Sequence, residues 1–130
     1  MVLLLERARD SIDVNQARTD NGATPLYMAC QNGHAEVVAL LLERARDSID
    51  VNQAETNDGR TPLYTACGNG HAEVVAHLLA QEAIDTTASA TLNGDQYSPL
   101  RVATVLGRAR VVELLRAHKV TSHAPAAPLP

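Results

Sequence analysis

The sequence predicts an all-α solenoid of stacked helix pairs joined by hairpin-like connectors, and three observations predict it. Pro25, Pro62 and Pro99 fall 37 residues apart, and Gly33, Gly70 and Gly107 keep the same interval. TPLYMACQNGHAEVV at Thr24 is answered by TPLYTACGNGHAEVV at Thr61 and, in a worn form, by SPLRVATVLGRARVV at Ser98. The segment LLLERARDSIDVNQA occurs verbatim at Leu3 and at Leu40. Self-similarity at such a period marks repeat architectures, in which one unit cannot bury its apolar face alone and stacking completes the core.

Within each unit a hydroxyl residue followed by proline (Thr24-Pro25, Thr61-Pro62, Ser98-Pro99) starts a short helix. The hydroxyl caps orphan N–H groups and proline fits the first turn. The glycine at 33, 70 or 107 stops that helix by taking the left-handed conformation without steric penalty. A second, antiparallel helix follows, because Val37, Val38 and Leu41 recur as Val74, Val75 and Leu78 and as Val111, Val112 and Leu115, spaced for one helical face. IDVNQAETNDGR then lacks helical periodicity and is rich in Asn, Asp and Gly, so it reads as an extended connector that turns back through a hairpin. LLERARD, built of good helix formers with no glycine, is expected to lengthen the second helix by about one turn before Ser48 and Asp50 end it. Ile49, and Ile12 likewise, is expected to fold back over the seam.

The totals bound the function. A chain of 130 residues allows one domain, here residues 2–119 with a partial unit at 2–19 and units at 20–56, 57–93 and 94–119. The three aromatics are all tyrosines, so the core is aliphatic. A net charge of −4 argues against a general nucleic-acid binder. The charge is uneven: residues 1–100 hold six basic and fourteen acidic groups, whereas from Arg101 onward five basic groups face the single acid Glu113. No run approaches membrane-spanning length, the N-terminal apolar run is too short for a signal-peptide core, and two cysteines at matched repeat positions are no disulfide framework. A reducing, intracellular and cytoplasmic setting is therefore expected. The proline- and alanine-rich tail, 120–130, is expected to be flexible.

At this point DGRTPLYTACGNGHAEVVAHLL resembles an ankyrin repeat, and three copies agree in order and spacing across nearly the whole chain before the tail. The repeat here is 37 residues rather than the usual 33, Tyr27, Tyr64 and Arg101 stand where the family pattern has histidine, and no glycine ends the second helix. The resemblance implies a protein-binding module that contacts a partner through hairpin tips and the exposed side of the first helices. Carried onto this sequence, those positions are Arg18, Asp20, Asn21, Ala23, Gln31 and Asn32 in the first complete repeat. In the second they are Glu55, Asn57, Asp58, Arg60, Gly68 and Asn69, and in the third Leu92, Gly94, Asp95, Tyr97 and Val105. Most of these residues differ between copies while most capping and packing residues do not.

Candidate chemistry is weighed against scaffold. Cys30 and Cys67, each four residues before a histidine, have the spacing of zinc ligands, but equivalent positions in stacked helices lie roughly 8 to 10 Å apart, too far to converge on one ion. Each cysteine instead reads as a small buried hydrophobe. Tyr64, Cys67 and His71 form no singular nucleophile and base, since cysteine and histidine recur at the same structural position. No phosphate loop or dinucleotide fingerprint is present. The expectation is a non-enzymatic module without cofactor. Arg101, Arg108, Arg110 and Arg116 read either as a soluble cap on the terminal repeat or as contacts for an acidic or nucleic-acid partner. A structural spacer, or an engineered scaffold fragment without its own partner, is the alternative to the binding reading, favoured by the verbatim duplication. The leucines at 3 to 5 match Leu40 to Leu42 of a unit whose first helix is missing, so weak self-association through the N-terminal end is also expected.

Overall fold

The computed structural model describes residues 15–45 and 48–123. Among them run α1 (Pro25–Gln31), α2 (Ala35–Arg44), α3 (Pro62–Gly68), α4 (Ala72–Leu79), the strands β1 (Ala90–Leu92) and β2 (Asp95–Tyr97), α5 (Pro99–Val105) and α6 (Ala109–His123). The leucine cluster at the N-terminus, Ile12, Arg46 and the tail beyond His123 lie outside the described residues.

The short helices begin as their composition dictates. Thr24 and Thr61 Oγ1 accept from the N–H of Tyr27 and Tyr64 at 3.1 Å, and Ser98 Oγ accepts from Arg101 N at 3.1 Å, each with proline in the first turn. They end at glycines with φ between 74 and 75°, where the next N–H reaches back: His34 N to Ala29 O, His71 N to Ala66 O, Arg108 N to Ala103 O. The left-handed conformation is one reason for glycine. A second is space, because a Cβ on Gly33 would stand 2.7 Å from the His71 imidazole and one on Gly70 would stand 3.0 Å from the Arg108 side chain.

The helices stack in two layers. α1, α3 and α5 form one and α2, α4 and α6 the other, with each first helix also packed on the second helix of its own repeat. Leu26, Leu63, Val38, Val75, Leu41 and Leu78 are closed from water between the layers, and each such side chain contributes about 1.5 to 3 kcal/mol by its burial. Cys30 and Cys67 are fully buried in the same core. Burial pushes the Cys30 thiol up strongly and raises the Cys67 thiol from 9.0 to about 12, so both are uncharged packing groups.

One seam differs from the next. The Thr65 side chain of the following repeat stands beside the Tyr27 hydroxyl and offsets part of the rise that burial gives its phenol. Thr65 is followed 37 residues later by Val102, and the Tyr64 hydroxyl, equally buried, has no partner. The repeat position that holds a hydroxyl residue after Tyr27 thus holds an apolar one after Tyr64.

The connectors are held by asparagine. Asn15 Nδ2 donates to Ser48 O at 2.6 Å and its Oδ1 accepts from Asp50 N at 2.7 Å, while Asn52 makes the same two bonds to Ala83 O and Asp85 N at 2.7 and 2.8 Å. This clamp corrects the expected helix extension. α2 stops at Arg44, and the Ala45 carbonyl already accepts from Ser48 and Ile49. Arg46 and Asp47, on which the rest of that expectation falls, lie outside the described residues. Ile49 is half-buried against the core, as expected.

The second clamp grips residues 35 positions beyond those of the first rather than 37, and α4 is correspondingly two residues shorter than α2. The third hairpin restores the register. Glu55 N donates to Arg60 O across the second hairpin, whereas β1 and β2 pair Ala90 with Tyr97, a span two residues longer. The added tip is Asn93-Gly94, with φ of 54 and 87°, the type I′ pair that matches strand twist. At the other end α6 runs to His123, so Val120 to His123 continue the last helix and do not belong to the tail.

Two measurements follow. Tyr27→Phe should lower stability by about 1 kcal/mol in chemical denaturation, because it removes the hydroxyl beside Thr65, whereas Tyr64→Phe removes a buried hydroxyl without a partner and should cost nothing or stabilise; equal losses would contradict the asymmetry. For the thiols, a folded pKa above the unfolded value means that stability is complete below pH 9 and falls as pH rises from 9 toward 12, since only the unfolded chain releases its protons there. Denaturation between pH 8 and 11 should therefore show a steeper loss for the native sequence than for Cys67→Ala.

Candidate functional site

On the hairpin side of the stack, α3, α5 and the second and third hairpins enclose a cleft of about 410 Å³. It is lined by six of the residues expected from sequence: Asp58, Arg60, Gly68, Asn69, Leu92 and Gly94. Tyr64, Thr65, Thr91, Asn93, Val102 and Leu106 complete it. Sequence comparison passed over these six. Leu106 had a signal, because it holds the repeat position of Asn32 and Asn69. Tyr64 had none, since its hydroxyl becomes exceptional only against Val102.

The second hairpin is organised by Glu55, whose identity differs from Arg18 at the same repeat position. Its carboxylate accepts the N–H groups of Asn57, Asp58 and Arg60, all at 2.9 Å, and Glu55 is buried. Glu55 is therefore corrected from a contact residue to the plug of its own hairpin. Ala23 is corrected too. At 2% exposure it offers no contact surface, because a methyl at this position vanishes against the neighbouring hairpin while Arg60 and Tyr97, longer at the same repeat position, reach outward.

Arg60 donates through Nη2 to Asp58 Oδ2 at 2.6 Å, and its Nε lies 3.8 Å from Glu55 Oε1. Nε is buried without an acceptor, as the Tyr64 hydroxyl is without a partner. Burial raises the Tyr64 phenol above its ordinary value, so it is a neutral hydroxyl able to donate. At the rim Leu106 is 45% exposed, and Val105, its neighbour in sequence, is 57% exposed.

The other expected residues spread along the same side. Arg18 and Asp20 pair at 2.8 Å in full exposure, and the guanidinium holds the Asp20 carboxyl down at about 2; such a pair contributes little to stability. Asn21 O accepts from Thr56 N and Asp58 O from Thr91 N, which ties successive hairpins together. Asn32, Asn57 and Asp95 are exposed. Gln31 matters through its backbone: its carbonyl accepts from Asn69 Nδ2 at 3.1 Å and from His71 Nε2 at 3.0 Å. Arg108 repeats this bond one unit on, Nε to Gly68 O at 3.0 Å. Of the basic cluster, Arg101 stacks over Tyr97 at 4.4 Å from the ring centroid and Arg110 lies 3.4 Å from Glu113.

A second cleft of about 590 Å³ lies at the opposite edge between Ile49–Asn52 and Ala80–Ala83, and none of the expected residues lines it. Among the described residues no group of three or more His, Cys, Asp or Glu could hold a metal ion, and no helix is long and apolar enough to cross a membrane.

Comparison with known proteins agrees with this geometry. No curated protein matches the chain. The family model described as ankyrin repeats (3 copies) matches residues 1–90 and again 47–124. With helix pairs, capped starts, glycine stops and hairpins recurring as that family requires, the chain belongs to the ankyrin-repeat family, a non-enzymatic scaffold that serves in general as a protein-binding module.

Proposed function

We infer that this chain binds a protein partner across its hairpin tips and the exposed surface of its first helices, with the cleft around Arg60 at the centre. The observation that carries this reading is convergence. Six residues carried over from the family resemblance line one cleft, and the exposed side chain of Leu106 borders it. Binding energy concentrates where apolar and arginine or tyrosine side chains meet in a sheltered pocket, and Arg60, Tyr64 and Leu106 supply that combination. The flanking hairpins are joined by backbone hydrogen bonds between repeats, so the surface is organised before a partner arrives.

The partner is a protein, and no cofactor or small-molecule substrate enters this reading. The arginines of the last repeat fit a capping role, because Arg108 bonds the preceding unit and Arg101 and Arg110 have neighbours of their own.

Affinity capture followed by mass spectrometry tests the reading. The variant Arg18→Ala, Arg60→Ala, Tyr97→Ala should keep its helical spectrum and lose at least about tenfold in recovery of the specifically captured partner, consistent with loss of hot-spot residues. Equal recovery from variant and native chain would favour a spacer without its own partner.

A further inference from the structure

We propose that the Arg60 cleft takes an uncharged segment of the partner, which sets an amide oxygen against Tyr64 and Arg60 and an apolar side chain over Leu106. This rests on the binding reading above and specifies its chemistry.

The orphaned groups come first. Buried polar atoms are nearly always paired, so two unpaired donors on residues of one cleft are an anomaly that points to an outside acceptor. The two seams differ at one position: Thr65 in the first is Val102 in the second, and Tyr64, whose hydroxyl is unpartnered, lines the same cleft as Val102. The demand for an acceptor is thus built by one substitution inside an otherwise duplicated framework.

Charge then selects the acceptor. Arg60 already has Asp58 at 2.6 Å and Glu55 at 3.8 Å, so the local charge is balanced toward the negative. A carboxylate or phosphate entering here would lie beside two carboxylates, and a cation would meet the guanidinium. A neutral carbonyl, from the main chain or from Asn or Gln, accepts from both donors without either repulsion. The apolar requirement comes from Leu106 at the rim, with Val102 and Leu92 below it. Both donor atoms are closed from water, and the Arg60 side chain, 39% exposed, is the wall that turns to admit the oxygen.

The test is selection of a random twelve-residue peptide library on the full chain, with counter-selection on Leu106→Glu. Enriched peptides should be uncharged and place a Leu, Ile, Val, Met or Phe beside an amide. The best peptide should bind about three- to tenfold more weakly to Tyr64→Phe, which removes the donor, and to Val102→Thr, which gives Tyr64 an internal partner. Both variants should unfold at or above the native temperature, which separates lost binding from lost structure. Enrichment of acidic or basic peptides, selection indifferent to Leu106→Glu, or equal affinity for Tyr64→Phe and Val102→Thr as for the native chain would overturn the proposal. The two readings part clearly: loss of partner capture in the triple alanine variant with charged peptides enriched leaves the broad function standing and removes this one.

Discussion

Stacking depends on how each repeat closes the exposed end of the helix before it. A short helix leaves carbonyls without intrahelical partners, and here the next repeat supplies the donor: His71 and Asn69 to Gln31, Arg108 to Gly68. The donor side chain must cross the turn that ends the preceding helix, which is why glycine at 33 and 70 answers to the neighbour as well as to backbone conformation. Histidine and arginine are interchangeable at this position because the bond needs only a ring or guanidinium N–H of the right reach. For His71 this requires the proton on Nε2.

A parallel constraint acts at the other edge of the stack, where Asn15 and Asn52 hold the turn after the next second helix. It holds the turn that follows α2, whose last helical residue is Arg44. It also tolerates slippage, because the third unit reaches its clamp two residues early and recovers them as an Asn-Gly hairpin tip. A constant period of 37 therefore conceals an exchange of length between helix and hairpin, and the longer hairpin forms one wall of the Arg60 cleft.

The proposed binding surface coincides with positions where duplication is broken. Arg18 became Glu55, which plugs its own hairpin and leaves Arg60 over the cleft; Thr65 became Val102, which lines the cleft with a buried tyrosine whose hydroxyl has no partner; Asn69 became Leu106, which adds exposed apolar surface. Variation between repeats marks these positions without telling their purposes apart. Ala23 and Glu55 vary as Arg60 does, yet both are buried, because exposure at one repeat position depends on side-chain length and on what the neighbouring hairpin covers.

The sequence by itself determined the repeat, the helix pairs, their capped starts and glycine stops, and the aliphatic core, since these follow from local conformational preference and a periodic apolar pattern. It also placed six residues of the cleft, because a register counted along the chain survives into space. Only the tertiary structure decided the end of α2 at Arg44, the two-residue slip of the third unit, the seams closed by His71 and Arg108, and the partnerless hydroxyl of Tyr64. Each of these turns on what a residue meets about 37 positions away, and a hydrogen bond made or missed across that distance leaves no trace in the local pattern of either partner.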